Sequence, residues 1–81
     1  MILESVYQKK VIKKYEQLGY FVIKLIKTNK NGIPDLLCLK KGEEPLFVEV
    51  KASNGVVSEL QKYRIKELES LGFRAIIDIN K

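Results

Sequence analysis

The sequence contains no histidine and no tryptophan, and only one cysteine and two prolines. Without imidazole there is no Ser-His or Cys-His nucleophile pair, no zinc site built on histidine and no histidine-based nuclease design. Any catalysis must use carboxylates, lysine or a metal held by oxygen. Cys38, alone, cannot close an intrachain disulfide, which suits a reducing compartment. Long apolar runs are missing too. No apolar run exceeds the length of Tyr20 to Ile23, against the ~20 residues of a membrane span, and Met1-Ile2-Leu3-Glu4 does not read as the start of a signal peptide. The expectation is a soluble, cytoplasmic protein with no membrane partner.

What is present fits one small globular domain over residues 1–81, with 46% hydrophobic and 31% charged residues. A chain this short buries only about 60% of its unfolded surface, so its core is expected to be thin and a dimer interface would help it. Fifteen Lys and Arg against ten Asp and Glu leave a net charge of +5 and a pI near 9.4, which points to a nucleic-acid partner. There is no internal repeat or low-complexity segment.

Between Ile2 and Leu18 the residues Leu3, Tyr7, Val11, Tyr15 and Leu18 recur at helical spacing, and Gly19 follows where a left-handed cap is expected. Tyr20 to Ile26 is β-branched and aromatic and reads as a first strand. A polar loop through Gly32 leads to a second strand from about Pro34 to Leu39. After a turn at Gly42, the third strand, Leu46 to Lys51, alternates strictly: Leu46, Val48 and Val50 on one face, Phe47, Glu49 and Lys51 on the other. Ser58-Glu59-Leu60-Gln61 has capping-box spacing, and Leu60, Tyr63, Ile65, Leu68 and Leu71 carry a second helix to Gly72. A last strand runs from Phe73 to Ile79. The order is αβββαβ: a three-strand meander, then a helical crossover to the fourth.

Two carboxylates stand out. Glu49 and Lys51 share one face of the third strand, roughly 7 Å apart along it, and antiparallel pairing through the Gly42 turn brings Asp35 opposite the Glu49 end. A polar outer face with a surface salt bridge is the plain alternative. The apolar surroundings argue instead for central strands, where an unpaired carboxylate is costly and wants a cation. Asp35, Glu49 and the Val50 carbonyl are hard oxygen donors suited to Mg²⁺ or Mn²⁺, and Lys51 is placed to stabilise charge on a reacting phosphate. In a basic protein, phosphodiester hydrolysis is the economical chemistry, with no small-molecule cofactor.

Gly32-Ile33-Pro34-Asp35, then thirteen residues, then Glu49-Val50-Lys51 resembles the PD-(D/E)XK nuclease signature, and αβββαβ is the restriction-endonuclease-like core that superfamily shares. Glu4 and Gln8 on the first helix, Val-Glu-Val-Lys-Ala, and Ser58 with Gln61 resemble its VRR-NUC family. The resemblance implies that Asp35 and Glu49 bind the divalent ion, that Lys51 is the catalytic lysine, and that Glu4 and Gln61 complete the site from the two helices, Glu4 as a further ligand. It also implies a homodimer that cuts branched DNA such as four-way junctions, the pattern of the small stand-alone members.

Each accessory residue has a simpler role open to it. Gln61 can close the capping box alone, and Glu4 is favoured in a first helical turn by the helix dipole. Gln8 is expected to support Glu4, and Cys38 to be a small core residue. Gly32 and Pro34 read as backbone devices that bend the chain towards Asp35. Lys9, Lys10, Lys13 and Lys14 are expected to solvate a helix face. Lys24, Lys27 and Lys30 before Asp35, with Ser53 and Asn54 after Lys51, flank the site and are the candidates for touching the phosphate backbone. The rival from another class is a non-catalytic nucleic-acid-binding module of the same fold. A third reading is a small interaction domain with a structural acidic pair.

Overall fold

The alternating run Leu46 to Lys51 forms β3 (Leu46–Lys51), and it organises the molecule. Leu46, Val48 and Val50 point to one side, where they meet Val11, Tyr15, Leu36 and Cys38 in the core. The computed structural model describes residues 2–80. Its elements follow as α1 (Glu4–Gln17), β1 (Phe21–Lys24), β2 (Leu36–Leu39), β3, α2 (Glu59–Ser70) and β4 (Arg74–Ile79). The four strands form one sheet in the order β1-β2-β3-β4. The β1–β2 and β2–β3 pairs are antiparallel, and β3–β4 is parallel across the α2 crossover. This is the expected mixed α/β architecture. The molecule measures 36 × 31 × 22 Å.

Helix α1 covers the Val48–Val50 face, packing on β3 and β1, while α2 lies against β4 on the other face. The two helices are held differently. Ser58 accepts a hydrogen bond from the Gln61 amide and the Gln61 side chain accepts one from the Ser58 amide, so α2 has the capping box its sequence announces. The N-cap of α1 is Leu3, which has no side chain able to cap. Its anchor is tertiary: Tyr7 Oη donates to Asp78 Oδ1, and Lys14 Nζ reaches Asp78 Oδ2 at 2.7 Å, tying α1 to β4.

Several expectations change. The first strand is shorter than Tyr20 to Ile26: past Lys24 the Leu25 amide still bonds the Asp35 carbonyl, but Ile26 and the residues just after it lie in solvent. The second strand begins at Leu36 and not at Pro34, because the Val50 amide goes to the Asp35 carboxylate and not to a backbone carbonyl. The final strand begins at Arg74. Of the apolar stripe on α1 only Val11 and Tyr15 are buried, and on α2 only Leu68, while Leu3, Val6, Leu18, Leu60, Tyr63 and Leu71 stay exposed. Lys14 leaves the solvated lysine cluster to pair with Asp78. Gln8 makes no bond to Glu4 among the described residues. Cys38 is the buried core residue expected, its thiol pushed up to about 11 by burial. Among the described residues no helix is long and apolar enough to cross a membrane.

Candidate active site

The register Leu36↔Val48 places Asp35 immediately beyond the β2–β3 ladder, beside Glu49. Its position is set from both sides of the chain. Pro34 is fully buried, the Asp35 carbonyl accepts from the Leu25 amide at 2.8 Å, and Asp35 Oδ2 accepts from the Val50 amide at 2.9 Å. Gly32, at φ +79°, passes so close to α2 that a Cβ there would stand 2.7 Å from Leu60 Cγ. Arg64 Nε donates to the Asn31 carbonyl at 2.8 Å, so α2 clamps the segment that leads to Asp35.

Glu49 is 1% exposed, the one buried charged side chain among the described residues. Its Oε2 is 3.3 Å from Lys51 Nζ and accepts from Gln61 Nε2 at 3.0 Å. Gln61 therefore does both of the jobs open to it, with Oε1 on the Ser58 amide and Nε2 on Glu49. Glu4 reaches the same strand end from α1, its Oε1 accepting from the Ala52 amide at 3.4 Å. Burial, and next the charge of Asp35, push the Glu49 carboxyl from its ordinary 4.5 up to about 7, against the pull of Lys51. Burial also raises Asp35, opposed by the Val50 amide. A buried acid and a half-buried one beside it are difficult to ionise together.

The second oxygen of Glu49, Oε1, is buried and has no hydrogen-bond partner. A buried oxygen without a donor is costly, and a hard cation relieves that cost. The donor set fits a magnesium-class ion: carboxylates from Asp35 and Glu49, with the Val50 carbonyl on the strand between Glu49 and Lys51. Among the described residues no group of three or more acidic or sulfur side chains gathers into a ready-made cage. An ion here would keep much of its own water, as Mg²⁺ commonly does.

Of the residues expected to touch DNA, Lys24, Lys27, Lys30, Ser53 and Asn54 are all exposed. Lys27 and Lys30 border a cavity of about 360 Å³ that also includes Asp35. Lys24 ends β1 opposite Leu36. The loop carrying Ser53 and Asn54 turns back through a Gly55 amide to Ala52 carbonyl bond of 2.8 Å. A Cβ at Gly55 would lie 3.1 Å from that carbonyl and 3.2 Å from Lys51 Cδ, so the glycine lets the loop press on the lysine. Arg64 and the Tyr7–Asp78–Lys14 cluster escape the sequence reading. A phenol within a half-buried stripe, which needs a polar partner, is the one local signal that pointed to the last of these.

An αβββαβ mixed sheet whose central strands bring Asp, Glu and Lys together defines a protein with the PD-(D/E)XK nuclease-type fold. Comparison with known proteins narrows the class. The sequence pattern of the VRR-NUC domain matches residues 2–77, and the chain belongs to that family. A solved structure titled "VRR_NUC domain" is similar, with a TM-score of 0.81 and 28% identity over 96% of this chain and 84% of that one. No curated protein matches closely enough to count as a relative.

Proposed function

We propose that the chain is a divalent-metal-dependent, structure-specific DNA endonuclease that hydrolyses phosphodiester bonds, acting as a homodimer on branched DNA such as four-way junctions. The observation that carries this reading is Glu49: one oxygen held by Lys51 and Gln61, the other buried and unpartnered. Asp35, Glu49 and the Val50 carbonyl would hold Mg²⁺ or Mn²⁺, with Glu4 close by. When bound, such an ion supplies Lewis-acid polarisation of the phosphodiester. The chain's own groups do the rest. Gln61 fixes the rotamer of Glu49, leaving Oε1 for a ligand. Lys51, only 13% exposed at its side chain, presents an ammonium group to the negative charge that builds on the phosphate in the transition state. Glu4 comes in from α1 and closes the strand end.

A non-catalytic binding module has no use for a buried acid beside a second, half-buried one in a place meant for phosphate, and that weighs against the rival reading. The homodimer draws support from the exposed Tyr63 on α2, Phe73 in the turn before β4, and Ile77 and Ile79 on the edge strand β4. Two copies would also supply the two sites that symmetric cutting of a junction needs.

The test incubates end-labelled four-way junction, flap, nicked and linear DNA with the protein in Mg²⁺, in Mn²⁺ and in chelator. Metal-dependent cutting of branched DNA is expected, with Lys51→Ala abolishing product while DNA binding persists. Cutting in chelator, or normal cutting by Lys51→Ala, overturns the assignment.

A further inference from the structure

An apolar side chain at a loop tip gains nothing from the core and leaves hydrocarbon in water. The loop between β1 and β2 carries one. Ile26 is 83% exposed, more than any other large hydrophobic side chain among the described residues. Around it stand Lys24, Lys27 and Lys30, all exposed, none of them ion-paired with an acid among the described residues.

The loop is built, not loose. The Leu25 amide to Asp35 carbonyl bond closes its base, Thr28 Oγ1 donates to the Lys30 carbonyl at 2.6 Å, and Arg64 pins Asn31 to α2. It lines an open cleft of about 360 Å³, bordered by Ile26, Lys27, Thr28, Lys30, Asn31 and Asp35. A solvated aliphatic group, two unpaired ammonium groups and a site carboxylate thus border one space.

We propose that Ile26 is a wedge that seats against an unstacked base step, with Lys24, Lys27 and Lys30 holding the flanking phosphates. The inference rests on the nuclease reading and gives it a substrate class: DNA whose base stack is already open beside the bond to be cut. Cations alone hold any duplex without regard to its shape. An aliphatic wedge adds discrimination, because it must unstack an intact duplex but finds a branch point already open. The wedge reads shape, and it needs no hydrogen bonds to base edges.

The test uses the full chain, a four-way junction with 2-aminopurine at the branch point and a linear duplex carrying the same label. Binding and fluorescence are read in chelator, cleavage in Mg²⁺. Wild type is expected to brighten the junction label and not the linear one. Ile26→Ser should remove the brightening and weaken junction binding about tenfold while changing linear-duplex binding less than about twofold, and Ile26→Leu should restore both. A Lys27→Gln/Lys30→Gln variant should weaken binding to both DNAs and flatten the salt dependence. Because Ile26 is solvated, the Ser variant should melt with wild type, which separates a binding defect from a folding one. If Ile26→Ser keeps the brightening and the junction preference, the wedge is overturned. If wild type brightens the junction but cuts nothing in Mg²⁺ or Mn²⁺, the nuclease reading fails and the wedge stands.

Discussion

Glu49 sits where an ionised carboxylate is expensive, and its proton reports that expense. Its folded pKa of about 7 lies above its ordinary 4.5. Between those values the folded chain keeps a proton that the unfolded chain has lost, so stability is full below the lower value and falls as pH rises through the upper one. Metal-free protein is expected to be less stable at pH 8 than at pH 5 by about 2 kcal/mol from this group. Asp35, also raised, acts in the same direction. Glu49→Gln should flatten the slope and raise the melting temperature at pH 8 in chelator, while losing the stabilisation that saturating Mg²⁺ is expected to give wild type. Melts from pH 5 to 8 with and without Mg²⁺ check both. The glycines make a second comparison. Gly32→Ala combines a φ of +79° with a Cβ 2.7 Å from Leu60 Cγ, whereas Gly42→Ala at φ +84° meets nothing within 4 Å. Urea unfolding should show a loss of about 2 kcal/mol or more for the first and about 1 kcal/mol for the second.

The helices deliver Glu4 and Gln61 by different means, and the two means fail differently. Helix α2 is aimed by its own cap. Ser58→Ala removes one of two reciprocal bonds and should lower stability by about 1 kcal/mol, with DNA cutting retained because the Gln61 to Glu49 bond survives. Helix α1 has no cap of its own and leans on Asp78. Burial raises the pKa of Asp78, yet the bonds from Lys14 and Tyr7 carry it below the ordinary range, and Tyr7 itself is driven to about 12, first by its bond to Asp78. That contribution is present above pH 3.8 and is lost as pH falls below it, opposite in sign to Glu49. Asp78→Asn should cost about 1–2 kcal/mol and reduce cutting more than Ser58→Ala does, since Glu4 rides on the helix that is loosened. Thermal melts beside the cleavage assay separate the two variants. The capping box was legible because its four residues are neighbours in the chain. The Tyr7–Asp78 bond spans 71 positions, and no local pattern records it.

The core gathers on one side of the sheet, between α1 and β3, and the side under α2 is thinly covered. Ile77, 38% exposed on edge strand β4, and Tyr63 on α2 remain in contact with water in the single chain. The proposed homodimer would cover them. Elution at the volume of about two chains is expected, and Ile77→Lys should shift it towards one chain by placing a charge in the contact. An unchanged elution volume for that variant would move the contact elsewhere.

Element order, the inward face of β3, the α2 cap and the meeting of Asp35, Glu49 and Lys51 all follow from period-two alternation, turn residues and local spacing, which act between near neighbours and are written in the chain itself. The sequence pattern also showed which residues were apolar, but not which of them the fold would cover: Leu3, Leu60 and Tyr63 share a helical stripe with buried residues and stay in solvent. That choice, with the anchoring of α1 by Asp78 and the orphaned oxygen of Glu49, came from packing distant segments together. Burial and long-range hydrogen bonds depend on distances that exist only once the sheet has closed.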